Sequence, residues 1–179
     1  NDNKLDIYES DELVSQYCEF QYGDEYFGVK NFSKECAKIG IDFSKNKTKA
    51  LDLGCATARA SFELAKEFDE VEGIDFSARF IQVGVQLKQK AYISFSSKIE
   101  GDLVENKKIT LNELGYENIV HKVSFWQGDA CNLKPNFNSY DLIMATNLIG
   151  RLYNPKLFLE TIHKRLNSDG ILMIRKVSL

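Results

Sequence analysis

The chain has 179 residues, 44% hydrophobic and 12% aromatic, enough to bury one substantial core but hardly two. Its formal net charge of -3 offers no basic field to nucleic acid, and no Lys/Arg block forms a nucleic-acid tail. No apolar run approaches the roughly 20 residues needed to span a bilayer, and the polar start "NDNKLDIYESDE" is no signal peptide, so a single cytoplasmic domain without nucleic-acid or membrane partners is expected.

Residues 1–48 read as a helical cap. "DELVSQYCEFQYG" and "NFSKECAKIG" place apolar residues at helical spacing, with Gly23 and Gly40 as stops. Between them, "DEYFGV" sets Tyr26 and Phe27 beside Gly28, as a core plug or part of a lid, with the core reading favoured.

From Lys49 the rhythm becomes strand, helix, strand: "ALDL", "ARASFELAKEF", "EVEGID", "SARFIQVGVQLKQKAY". Such alternation is the signature of βαβ units and a parallel sheet. "VSFWQGD" and "YDLIMAT" follow as strands, then the helical "PKLFLETIHKRL" with Pro155 in its first turn, then "GILMIRKVSL". Five strands result. The stretch 94–122 is too long for an ordinary connection in an α/β unit. Its alternation predicts an inserted hairpin with Gly101-Asp102 near the turn, followed by a short helix at "LNELG". The expected fold is a doubly wound α/β sandwich with a mostly parallel sheet.

In such sheets ligands bind beyond the carboxyl ends of the strands, where the strand order reverses. Polar residues stand at each of those ends: "DLGCATA" with Gly54, "GIDFS" with Asp75, "QGDACNL" with Asp129 and "ATNLIGRLY" with Asn147. Gly54 permits close backbone approach, and the helix after it offers N-terminal N–H groups to polar or anionic groups. Asp75 follows Gly54 by roughly the 20 residues that separate a phosphate loop from the acid gripping ribose hydroxyls. A nucleoside-containing cofactor is therefore expected. A dinucleotide is disfavoured, because the glycines of G-x-G-x-x-G would fall on Gly54, Ala56 and Arg59. Cys18, Cys36, Cys55 and Cys131 form no C-x-x-C pair, and with only His121 and His163 beside them neither a metal site nor a disulfide framework is expected. Cys55 reads as a small buried thiol.

Asp52 in "LDLGCATA" opens the D/E-x-G-x-G-x-G pattern of S-adenosylmethionine-dependent methyltransferases, which this chain resembles, with Ala56 and Ala58 in place of two glycines. By that resemblance Asp52 would face the cofactor's ammonium and Gly54 and Ala56 would line its methionine. Asp75 would hold the ribose, Asp129 with the Ala130 amide would recognise adenine, and Phe76 would pack near it. Left-handed backbone costs an alanine about 1–2 kcal/mol, so ordinary helical or extended dihedrals are expected at 56 and 58.

The stretches "FQYGDEYFGVKNF", "LDLGCATARASFELAKEFDEVEGIDFSARFI", "EGDLV", "FWQGDACNLKP" and "YDLIMATNLIGRLYNP" are similar to the 4-mercaptohistidine N-methyltransferase family of ovothiol biosynthesis, the C-terminal domain of 5-histidylcysteine sulfoxide synthase. Three positions depart from that pattern, which has His, Gly and Asp where Gln21, Ala58 and Gly150 stand. The resemblance implies methyl transfer to an imidazole nitrogen of a thiolated histidine. It places Asn147 at the transfer site and on the cofactor, and Tyr22, Tyr26, Phe27, Arg151 and Tyr153 around the substrate, Arg151 pairing its carboxylate. A fused or upstream sulfoxide synthase domain would be the partner. Superfamily members end with two further strands, so the chain reads as C-terminally incomplete. The alternatives are a methyltransferase for another small molecule and a non-catalytic module that binds the cofactor or a partner.

Overall fold

A computed structural model of the chain describes residues 11–25, 28–100, 103–146 and 148–176. Three expected site residues, Tyr26, Phe27 and Asn147, lie outside the described residues, as does the Gly101-Asp102 pair.

Helices α1 (Asp11–Tyr22) and α2 (Phe32–Phe43) come first. The Asn31 side chain accepts the Lys34 N–H and caps α2. Gly40 does not stop this helix, which runs on to Phe43. A Cβ at Gly40 would lie 2.9 Å from Leu142 Cδ2, so the glycine lets the helix press against the sheet. The remaining elements are β1 (Lys49–Leu53), α3 (Arg59–Leu64), β2 (Glu70–Asp75), α4 (Ala78–Lys90), β3 (Tyr92–Glu100), β4 (Leu103–Thr110), α5 (Leu111–Leu114), β5 (Val123–Gln127), β6 (Tyr140–Thr146), α6 (Pro155–Thr161) and β7 (Leu166–Arg175).

Five of these strands form one parallel sheet in the order β5-β2-β1-β6-β7. Alternate residues of β1 and β6 enter opposite cores. Ala50, Leu142 and Met144 join Phe62, Val83, Leu87 and Tyr116 on one face. Leu51, Leu53, Ile143 and Ala145 join Phe137, Phe158 and Ile162 on the other. Helices on both faces make the doubly wound sandwich that the strand–helix rhythm predicts.

The insertion is a two-stranded antiparallel hairpin, β3 with β4. It begins at Tyr92, two residues before the expected start, because Ala91 takes left-handed backbone (φ 63°) and ends α4. A capping box between Thr110 and Glu113 then starts α5. Beyond it Tyr116 is fully buried, stacked on Phe62 with 5.2 Å between ring centroids, and its hydroxyl donates to Glu63 Oε1 at 2.6 Å. The end of the excursion is thereby pinned to α3.

Candidate functional site

The strand order reverses between β1 and β6, and the crevice at their carboxyl ends holds a cavity of about 400 Å³. That volume lies within the roughly 300–1,000 Å³ of small-molecule sites. Gly54, Ala56, Asp75, Phe76, Asp129, Ala130, Arg151 and Tyr153, all expected from the sequence, line it together.

Two amides of the β1–α3 loop are tied to β2. The N–H groups of Gly54 and Cys55 both donate to the Ile74 carbonyl, at 2.7 and 3.1 Å. Gly54 has φ +77°, and a Cβ there would sit 3.1 Å from Leu148 Cδ1, so the position demands glycine. Ala56 (φ 46°) and Ala58 (φ 79°) contradict the expectation of ordinary dihedrals. Both keep the left-handed backbone that glycine would adopt without strain, and neighbouring groups hold them there. Replacing Ala58 with glycine is expected to relieve about 1–2 kcal/mol of strain against an unfolded-state cost of about 0.4–1 kcal/mol. Ala58 is also fully buried and its methyl contributes about 0.8 kcal/mol of burial, so the terms nearly cancel and Tm stays within about 2 °C of wild type in differential scanning calorimetry. The helix after the loop also differs from expectation. With six residues it is short, and the N–H of its first residue, Arg59, is bonded within the protein to Gln21 Oε1 at 3.1 Å. Its first amide is therefore not offered to a ligand.

Asp75 ends β2 and straps the loop to α4. Its Oδ2 accepts the Ala56 N–H and its Oδ1 the Ser77 N–H, both at 2.9 Å. A carboxylate has about four acceptor sites, so these two bonds do not exhaust it. Burial raises its pKa above the usual carboxylate range, countered by those two amides and by the Arg151 charge. Asp129, after β5, accepts the Cys131 N–H at 2.8 Å, which fixes its carboxylate beside Ala130. Phe76 is half exposed on the cavity wall. A close-approach glycine, a loop-bound carboxylate, an acid beside a backbone amide and an open aromatic face thus share one cavity.

Two expected contacts are placed elsewhere. Asp52 lies beneath the loop rather than on the cavity wall, 1% exposed, with Oδ2 accepting the Ser61 hydroxyl at 2.7 Å. Its distance from solvent pushes its pKa up to about 6. Tyr22 is buried, and its hydroxyl donates to the Thr57 carbonyl at 2.6 Å while the Arg59 guanidinium covers its ring at 5.3 Å. It braces the loop and does not line the cavity. Burial also raises the Cys55 thiol well above its ordinary value and keeps it protonated.

The sequence reading gave no site role to Tyr17, Phe20, Gln21 or Phe32, which line the side of the cavity facing the cap. The first three share one face of α1 at i, i+3 and i+4, a spacing that was available as a signal. Arg151 donates to the Tyr17 hydroxyl and lies over its ring at 5.4 Å, joining α1 to the segment after β6 across the cavity.

A family model described as a methyltransferase domain matches residues 29–178. No curated protein matches the sequence. Among solved structures, a TehB-like SAM-dependent methyltransferase from Corynebacterium glutamicum is 18% identical with a TM-score of 0.59, covering 97% of this chain and 73% of its own. The CcbJ methyltransferase from Streptomyces caelestis is 19% identical with a TM-score of 0.58, covering 84% of this chain and 56% of its own. The SpnF cyclase is 15% identical with a TM-score of 0.59, covering 92% of this chain and 60% of its own. The chain thus spans about half to three quarters of the length of the structures it resembles. At such identities the neighbours establish the fold, and a cyclase among them illustrates that one fold serves several reactions. The family match over most of the sequence decides membership: the chain belongs to the methyltransferase-domain family, and that family implies S-adenosylmethionine as the cofactor.

Proposed function

We propose that the protein is an S-adenosylmethionine-dependent methyltransferase acting on a small molecule, with an imidazole nitrogen of 4-mercaptohistidine as the acceptor, the methylation of ovothiol biosynthesis. One observation carries the methyl-transfer reading: a single cavity joins the polar end formed by Asp75 and Asp129 to an end bearing Tyr17, Phe20, Phe32 and Arg151. The first end suits the nucleoside. The second suits a flat ring that carries a carboxylate. The choice of acceptor is supported by the sequence resemblance and by that aromatic and cationic lining.

In this reading Asp75 accepts both ribose hydroxyls, Asp129 and the Ala130 amide hold the adenine edge, and Phe76 covers it. Gly54 and Ala56 admit the methionine, and the buried Asp52 carboxylate directs a negative field at its ammonium. When bound, the cofactor supplies a methyl carbon already activated by a sulfonium. The chain contributes alignment, worth about 7–11 kcal/mol when reacting atoms are held in attack geometry. A neutral imidazole nitrogen attacks with its own lone pair, so no protein base is required, and the proton it later sheds passes to solvent. Arg151 holds the acceptor carboxylate, aided by Tyr153, while the aromatic side chains exclude water. Asn147, Tyr26 and Phe27 complete the acceptor side by family resemblance, and a fused sulfoxide synthase domain would deliver the substrate.

Mass spectrometry of a reaction with methyl-labelled S-adenosylmethionine tests this. Labelled N-methyl-4-mercaptohistidine is the expected product. Label in a different small acceptor would replace the substrate and keep the activity. Absence of S-adenosylmethionine binding heat from folded protein would overturn the reading as a whole.

A further inference from the structure

We infer that Gln21 is a positioning residue for the cofactor loop, supplying from α1 the cap that α3 lacks and holding Ala58 in its left-handed conformation. This rests on the cofactor reading above.

The first turn of a helix leaves N–H groups without intrahelical partners; an N-cap side chain normally accepts one at the second or third helical residue, and that of the first is left to another group. Here the N-cap is Ala58, which has no side-chain acceptor and stands at φ 79°, ψ 9°. Arg59 is nonetheless satisfied. Its N–H donates to Gln21 Oε1 at 3.1 Å, and the Thr57 hydroxyl donates to the same oxygen at 2.7 Å. Gln21 is 7% exposed, so these bonds form away from water, where leaving either donor unmet is costly.

The rest of α1 reinforces the same point of the loop. Tyr22 donates to the Thr57 carbonyl at 2.6 Å, and Arg59 reaches back to the Gln21 carbonyl at 3.5 Å. The Arg59 guanidinium lies over two rings, Tyr22 at 5.3 Å and Tyr116 at 5.6 Å. Tyr116 belongs to the insertion, so cap, loop and insertion meet at one side chain. Gln21 is itself held, because its carbonyl also accepts from Asn31 Nδ2 at 2.9 Å. Residues 57–59 are thus clamped from outside in a conformation that their own sequence disfavours, and Gln21 supplies two bonds of that clamp. Since the clamped residues follow directly on Gly54 and Ala56 at the cavity wall, the position of Gln21 sets the shape offered to the cofactor.

The experiment compares the wild type with Gln21→Met, which keeps length but removes the acceptor, Gln21→Glu, which keeps it, Ala58→Gly, and the Gln21→Met/Ala58→Gly pair. Isothermal titration with S-adenosylmethionine and amide hydrogen exchange at residues 54–59 are read for each. Q21M is expected to weaken binding about tenfold and to speed exchange at Arg59, while Q21E stays within threefold of wild type. A58G alone changes binding less than threefold. In the pair, glycine removes the strain that the clamp opposed and recovers most of the lost affinity and protection. Unchanged affinity and exchange in Q21M, or no recovery in the pair, would overturn the inference. A wild type that binds no cofactor would overturn the proposed function instead, and the exchange coupling between positions 21 and 58 would still decide this one.

Discussion

Replacing Asp75 with alanine is expected to weaken S-adenosylmethionine binding by about 100-fold or more in isothermal titration. The carboxylate has two tasks at once. Its oxygens accept the Ala56 and Ser77 amides, shaping the loop and the start of α4, and in the proposed function its remaining acceptor capacity would serve the ribose hydroxyls. A hydrogen bond to a charged group contributes about 1.5–3 kcal/mol, so loss of two corresponds to two or more orders of magnitude in affinity. Asp75→Asn retains one acceptor oxygen and should fall between wild type and alanine. An alanine variant that binds within tenfold of wild type would show that the ribose is held elsewhere.

Asp52→Asn is expected to raise stability at pH 7.5 by about 3 kcal/mol and leave it unchanged near pH 4, while lowering affinity for the cofactor. Its carboxyl has a pKa of about 6 in the folded protein, against 3.8 for the unperturbed group, because burial penalises the charge. Between those values the folded chain holds a proton that the unfolded chain has released. Stability therefore falls as pH rises from about 4 to 6 and stays at the lower level above. Asparagine has no charge to bury, and its side-chain oxygen can still accept the Ser61 hydroxyl. The slope from this residue should vanish in thermal melts across that range, leaving the contribution of Asp75, whose pKa is raised in the same sense. A carboxylate kept at a cost to the folded state points to use of its charge. If the Asn variant matched wild type in cofactor affinity, the field of Asp52 would play no part in binding.

The sheet and the strand ends were legible because they rest on local signals. β1, β2, β5 and β6 were visible as short apolar runs between helical stretches, and the reversal of strand order directed attention to Gly54, Asp75 and Asp129. What stayed hidden depends on contacts distant in sequence. Gly40 resembles a helix stop until Leu142 is seen pressed against it. Ala58 should avoid left-handed backbone on intrinsic preference, and the groups that overrule the preference lie in α1. Asp52 carries the right residue type at the right spacing, yet β1 directs it under the loop and onto Ser61. Tyr22 was expected beside a substrate, but it does not line the cavity and its hydroxyl bonds the Thr57 carbonyl, since an aromatic ring near a pocket in sequence says nothing of where its hydroxyl finds an acceptor.

The clamp on the loop has a consequence for how relatives of this chain are compared. The family match begins at residue 29, after the whole of α1, so the partner that completes the loop lies outside the segment by which membership is recognised. Two proteins aligned perfectly over that segment can still differ in how firmly they hold the cofactor, according to what precedes it. Among such relatives, substitutions at the position of Gln21 should be inherited together with substitutions at the position of Ala58: a glycine at the second releases the first to vary, and an alanine fixes it as a hydrogen-bond acceptor.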